Sequence, residues 1–322
     1  MLRDWLTVKR ARVLAVAGLI IYVSVALWPF GWALPERVRN EAVMTGEGTL
    51  LFEGPGLAWV RPRSLFLDRA IESQSLQLRL RVDSLGSHQH GPARIFSISN
   101  GRYLRNLTVV QEGSDLVLRL RTPETSANGT PAYTVAGAFD KVGWQEFTIS
   151  IEPGRLTVTQ NDQVVLTDRL PDHPLANWNP YMDTVLGNET TGGRPWVGQI
   201  ASATVIIEEV EFDLLASDVC DVPEEFWRGL YYHSLVHLPY LLRNREGQID
   251  ALLNLLAFIP LGMVLAASTT PQRPCGAVLF CALVSLLVET AQLFAPFHVP
   301  STGDWIANVL GAIVGAWAGR RL

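Results

Sequence analysis

The sequence predicts a multi-domain membrane protein in which a four-span α-helical bundle carries a large all-β sandwich. Three observations predict it: apolar runs of spanning length sit towards both ends of the 322 residues, period-two alternation fills the middle, and basic residues flank the apolar runs in a consistent pattern. A hydrophobic content of 48% is high for a chain that folds wholly in water. The net charge of −5 offers no basic stripe able to displace phosphate counterions, so nucleic acid is excluded as a partner. Three cysteines, Cys220, Cys275 and Cys281, are an odd number without C-x-x-C spacing, and read as small apolar residues rather than a disulfide or zinc framework.

Residues 1–12 form a basic N-terminus, and residues 13–32 the first transmembrane helix. Val13 to Phe30 carries no charge over about 18 residues and ends in Leu27-Trp28-Pro29-Phe30-Gly31-Trp32. Such aromatic residues favour the membrane interface, so an uncleaved span is expected rather than a signal peptide. Three further spans are expected within residues 249–322, at Ile249 to Ser268, Ala277 to Phe297 and Asp304 to Ala318. Arg3, Lys9, Arg10 and Arg12 precede the first span, Arg273 lies between the second and third, and Arg320 and Arg321 follow the fourth. With four spans all of them fall on the cytoplasmic side, both termini are inside, and the intervening domain lies outside.

Between residues 45 and 214 the pattern becomes short alternating segments divided by turn residues. Ser75–Val82 and Leu116–Arg121 alternate strictly, so one face of each is buried. Further strands are expected at Ala93–Ser99, Asn106–Gln111, Gln145–Ile151, Arg155–Gln160, Gln163–Leu166 and Ala203–Phe212, with Asn161-Asp162 as a tight hairpin turn. Two packed sheets bury those faces most simply. Asp140, Asp162, Asp168, Asp172 and Asp183 are too scattered to read as a calcium loop, and His88-x-His90 reads as solvated. Trp178 and Tyr181 are open to two readings, sugar stacking or ordinary packing. No metal and no cofactor is assigned.

Residues 222–244 are rich in aromatic side chains beside a span, which predicts an interfacial helix carrying His233 and His237. Inside the helical region, polar residues recur at helical spacing. Asp250 and Asn254 are four apart, Glu289 and Gln292 three apart, Asp304 and Asn308 four apart, and all six fall at the outer membrane level. Glu289 is expected roughly 8–12 Å below the end of its helix. Carboxylates in hydrocarbon cost several kcal/mol and face one another or water inside a bundle. Three together repel, so a proton, a cation, a donor or a ligand must accompany them. The competing reading is interhelical hydrogen bonding, with Asp250 and Asp304 as helix caps. The Gly311-x-x-x-Gly315 spacing, continued by Gly319, indicates close helix packing.

Two resemblances follow from particular residues. Phe96–Gly101, Asn106–Gly113, Leu118–Thr122, Gly143-Trp144-Gln145 and Leu186–Ile200 are similar to the core of laminin-G/concanavalin A-like sandwiches, which implies binding of a glycan or a protein. Asp250–Gly262, Glu289-x-x-Gln292-Leu293-Phe294 and Pro300–Gly315 resemble the VanZ-like membrane family. That resemblance implies a bacterial inner-membrane location, a cell-envelope role and a link to glycopeptide resistance, with the sandwich inserted in the first outer loop. His298 stands where the family usually has an arginine, making charge there pH-dependent.

The resulting expectation is a protein that binds a membrane lipid, an envelope glycan or a lipid-linked precursor, using Asp250, Asn254, Glu289, Gln292, His298, Asp304 and Asn308. The alternatives are an enzyme acting on such a precursor, for which no nucleophile is evident, and helices that only anchor a binding sandwich.

Overall fold

The structure is a computed structural model, and it describes residues 8–62, 65–85, 89–102, 104–229, 245–268, 274–295, 298 and 300–319. The chain forms two compact units, one of Pro35–Gly229 and one of Met1–Leu34 with Leu230–Leu322.

The first unit is a β-sandwich. In order along the chain its elements are β1 (Glu36–Arg39), β2 (Ala42–Met44), β3 (Leu50–Phe52), β4 (Ala58–Val60), a short helix α2 (Leu67–Ser73), β5 (Leu76–Ser84), β6 (Gln89–Asn100), β7 (Leu104–Gly113) and β8 (Asp115–Leu120). There follow β9 (Tyr133–Val135), β10 (Gln145–Glu152), β11 (Arg155–Gln160), β12 (Gln163–Arg169), β13 (Asp183–Leu186), β14 (Gly198–Ile207), β15 (Val210–Asp213), β16 (Cys220–Asp221) and β17 (Glu225–Arg228). One sheet runs β12-β11-β10-β5-β14-β3-β2 with β15 beside β14, the other β16-β4-β13-β6-β7-β8-β9, and β1 pairs with β17 in a separate ribbon.

Alternation is what closes the sandwich. Leu78, Leu80 and Val82 of β5 share a face with Phe147, Ile149 and Ile151 of β10, because the register sets Leu80 opposite Phe147 and Leu78 opposite Ile149. Phe96 and Ile98 of β6, Leu107 and Val109 of β7 and Leu118 and Leu120 of β8 meet them in one core, each at most 1% exposed. Each such side chain contributes roughly 1.5–3 kcal/mol by leaving water. Trp196 anchors one end: it is fully buried, sits edge-on to Phe52 at 6.1 Å, and donates from Nε1 to Gln111 Oε1 at 2.8 Å.

Several sequence expectations shift at boundaries. Asn161 and Asp162 do form the hairpin turn, between the paired Gln160 and Gln163, both with positive φ of 49° and 65°, as a two-residue primed turn requires. The strand expected over Ala203–Phe212 is instead the end of β14 and most of β15, folded back at Glu208 and Glu209, whose φ values are also positive. Trp178, read as a possible sugar platform, is a core residue at 2% exposure that donates from Nε1 to the Arg121 carbonyl at 2.9 Å. The interfacial helix expected from residue 222 is absent at its start, where Glu225–Arg228 pairs with β1 and Phe226 packs with Leu57, Trp59 and Val185. The aromatic spacing there serves strand packing, and the rest of that segment, with His233 and His237, lies outside the described residues.

The second unit comprises α1 (Val8–Leu27), α3 (Arg245–Ser268), α4 (Pro274–Gln292) and α5 (Thr302–Gly319). Among the described residues three stretches are long and apolar enough to cross a membrane: Lys9–Leu27, Gln248–Ser268 and Pro274–Gln292. The expected fourth span, α5, is a helix but falls outside that set, because Asp304, Asn308 and four glycines dilute its apolar character. The α3–α5 seam is backbone against backbone. A Cβ on Gly311 would stand 2.1 Å from the Leu255 carbonyl oxygen, and one on Gly319 2.4 Å from that of Met263. Small residues permit this approach, which in lipid must replace the absent hydrophobic drive between helices.

Candidate functional site

The polar residues of the helical unit divide into two sets. Asp304 is part-buried within electrostatic reach of both Asp250 and Glu289, and its side chain is hydrogen-bonded with those of Asn254 and Ser301. Glu289 is 5% exposed and accepts from the Ser301 backbone N–H at 2.7 Å through Oε2. Asp250 lies on the exposed side of α3, still within electrostatic reach of Glu289. Three helices therefore bring three carboxylates and one amide together. Among the described residues no group of three His, Cys, Asp or Glu is close enough to hold a metal ion, so the acids do not form a ready chelate.

The cluster is built on the start of α5. Ser301 is its N-cap: the Oγ accepts from the Gly303 N–H at 3.1 Å and the Asp304 N–H at 3.4 Å. Asp304 is thus three residues past the cap, not the cap itself. Asp250 is likewise no cap, since α3 begins at Arg245 and Asp250 lies in its second turn. In a capping box the acid at the third position returns a bond to the cap residue's own N–H. Here that N–H is taken by Glu289 from α4, so the box is completed between helices. The Ser301-x-x-Asp304 spacing was a signal for this in the sequence.

Glu289 also sits higher than expected. α4 ends at Gln292 and turns at Leu293 and Phe294, ahead of Pro296, before which a helical conformation is disfavoured. Glu289 is then about 4.5 Å from its helix end rather than twice that.

The second set ties helices. Gln292 Nε2 donates at 2.8 Å to the Ala26 carbonyl in the last turn of α1, one of the carbonyls left unpaired where a helix stops. Asn308, 1% exposed, donates from Nδ2 to Ser285 Oγ at 3.0 Å and to the Tyr22 hydroxyl at 3.5 Å, joining α5 to α4 and α1. Trp305 Nε1 adds a bond to the Ala282 carbonyl at 3.0 Å. Ser285, Tyr22 and Trp305 escaped sequence reasoning because their partners lie on other helices, whereas Ser301 was missed although its spacing to Asp304 signalled a cap. His298 is half-buried; its backbone N–H donates to the Ala295 carbonyl at 3.1 Å, while its imidazole Nε2 is buried without a hydrogen-bond partner among the described residues.

A β-sandwich joined to a unit with three span-length helices defines a membrane protein of two parts. Residues 200–322, somewhat over a third of the chain, match the VanZ/LLP1 family, so this part of the chain is VanZ-like, and a β-sandwich domain accompanies it. No curated protein matches the chain.

Solved structures similar to it include the binding domain of botulinum neurotoxin DC in complex with rat synaptotagmin II, at 12% identity and TM-score 0.38, covering 55% of this chain and 44% of that one. Domain 4 of AbnA, a GH43 extracellular arabinanase from Geobacillus stearothermophilus in complex with arabinotriose, is 14% identical at TM-score 0.37, covering 54% and 82%. The Ruminococcus gnavus IT-sialidase CBM40 bound to α2,3 sialyllactose is 11% identical at TM-score 0.37, covering 54% and 91%. At these scores the likeness carries no functional information.

Proposed function

We propose that the helical unit holds the head group of an envelope lipid or lipid-linked glycan at Asp250, Glu289 and Asp304, while the sandwich contacts an envelope glycan or a protein partner. The observation that carries this reading is the meeting of the three carboxylates: acids from three helices repel unless something neutralises or hydrogen-bonds them. Hydroxyl or ammonium groups of a head group meet that need from the lipid side, with Asn254 orienting Asp304. Gln292 and Asn308 take a supporting role, positioning α1, α4 and α5 around the cluster. His298 completes the candidate set at the same end of α4.

The setting is a bacterial inner membrane crossed four times, with α5 as the fourth span and the sandwich on the extracytoplasmic side. Retention of basic residues on one face supports this topology. Glycopeptide tolerance is the cellular property in which loss of the site would be sought first. Native mass spectrometry of the full chain, released from membranes in mild detergent, tests the site. A lipid-sized adduct held by the wild type should fall at least tenfold in Glu289→Gln and Asp304→Asn at unchanged expression. Equal adducts in all three proteins would reduce the cluster to a packing device.

A further inference from the structure

The face of the seven-stranded sheet turned away from the core carries an arginine cluster with too little negative charge to balance it. Arg94 and Arg105 are 2% and 4% exposed. Their Nη2 atoms converge on one acceptor, the Arg102 carbonyl, with Arg94 at 3.0 Å. Arg94 Nη1 reaches Ser97 Oγ, Ser99 Oγ and the Gly101 carbonyl at 3.2–3.4 Å, and Arg105 Nη1 reaches Thr108 Oγ1 at 3.2 Å. Every one of those acceptors is neutral. Arg119 stands directly across the strand pair from Thr108, and the Arg194 carbonyl accepts from the Arg94 backbone N–H. Arg119 and Arg194 act electrostatically on both buried guanidinium groups.

Against these five cations stands Glu189, fully buried and already committed to its own loop. It accepts from the Thr191 N–H and hydroxyl and from the Gly193 N–H, and comes only within 4.0 Å of Arg102 Nε. Asp183, also on this face, is paired with Arg61 at 3.0 Å. Within 35–229 the positions outside the described set, 63–64, 86–88 and 103, contain no Asp or Glu. The Nε atoms of Arg94, Arg102 and Arg105 are buried without a hydrogen-bond partner.

Buried guanidinium groups are tolerated when an anion or full hydrogen bonding accompanies them; among the described residues the one carboxylate acting on both Arg94 and Arg105 is Glu189, and their hydrogen bonding is incomplete. Arg102, Arg119 and Arg194 are part-exposed, so the cluster has a buried floor and a rim that meets solvent. We propose that this cluster is an oxyanion site, which takes a carboxylate or phosphate group borne by a ligand of the sandwich. Guanidinium groups suit both, because their planar forks bond two oxygens of either group at once. Burial, the largest effect, pushes both Arg94 and Arg105 below the usual arginine range, in keeping with a cationic floor that lacks its counter-ion. The inference gives chemistry to the sandwich half of the proposed function and is independent of the helical carboxylates.

Isothermal titration of the full chain in detergent at low salt tests it, with sodium phosphate, sodium glucuronate and glucose as probes. Phosphate or glucuronate should bind saturably and glucose should not; whichever anion binds more tightly identifies the source as phosphorylated or carboxylated. Because replacing a buried arginine risks unfolding, the variants are Arg102→Gln with Arg194→Gln at the rim. The pair should weaken the anion at least tenfold while the thermal unfolding profile stays in place. Undetectable binding of both anions, or unchanged binding in the double variant, would overturn the inference. Binding of a neutral envelope oligosaccharide with no response to either anion would also overturn it, while leaving the proposed function of the sandwich intact.

Discussion

Gly315→Ala should be among the most damaging single-methyl additions in the helical unit. A Cβ there would lie 1.9 Å from the Ile259 carbonyl oxygen, 2.8 Å from the Ile259 carbonyl carbon and 2.9 Å from the Met263 nitrogen. All three are backbone atoms, so no side chain can swing aside. Restoring an ordinary contact of about 3.4 Å means parting α3 and α5 by about 1.5 Å, and a gap of even 1 Å forfeits up to half of each contact's attraction. The seam would open along its length, since Gly262 and Gly311 make the same close approach. Overpacking usually costs about 1–3 kcal/mol, and the upper end of that range is expected here. A loss of that size corresponds to roughly a 10 °C fall in the midpoint of the helical transition. The Asn254–Asp304 bond spans the same helix pair and should weaken with it. Thermal unfolding of the full chain in detergent, read by size-exclusion chromatography, measures the fall. Gly18→Ala is the control, because its Cβ would meet only Leu261 Cδ1 at 3.7 Å. If the two variants unfold within a degree of one another, the seam is not held by backbone contact and the packing argument fails.

Ser301→Ala removes the cap of α5 and a partner of Asp304 while leaving the N–H that Glu289 uses, so a loss of about 1 kcal/mol is expected by thermal unfolding; a variant as stable as wild type would show that the α5 terminus is held by other contacts. Burial, with Asp221 and Asp213 nearby, raises the Cys220 thiol to about 11. Relative to the ordinary value of 9.0 this lowers the thiolate fraction at pH 8 by about 100-fold, so alkylation by iodoacetamide should be slow there and climb about tenfold per pH unit towards pH 11; a rate already level by pH 9 would contradict it. Cys275 is exposed just inside the start of α4 and tests the topology. A membrane-impermeant maleimide should leave it unlabelled in intact cells and label it after permeabilisation, and labelling without permeabilisation would reverse the proposed orientation.

Local pattern carried much of this fold. The alternation of β5, β8, β10 and β11 was legible because a sheet with one wet face must alternate, and the Asn161-Asp162 turn because two positive φ values suit those residues. Strands β1, β4, β13 and β17 were not legible. β4 and β13 are buried throughout, which erases alternation, and β17 was masked by an aromatic composition that also suits a membrane interface.

The same division runs through the functional residues. Helical spacing alone placed Asp250 with Asn254, Glu289 with Gln292, and Asp304 with Asn308 on common faces, since 3.6 residues per turn is a local property. Which of those faces meet was settled by the packing of glycines against backbone between α3 and α5. That packing drew Asn254 to Asp304; the contact of α4 with α5 set Glu289 on Ser301, and Gln292 and Asn308 bind helices together. The arginines of the sandwich were dispersed over a hundred residues of sequence, and only strand register, which depends on partners distant in the chain, gathered their charges onto one face.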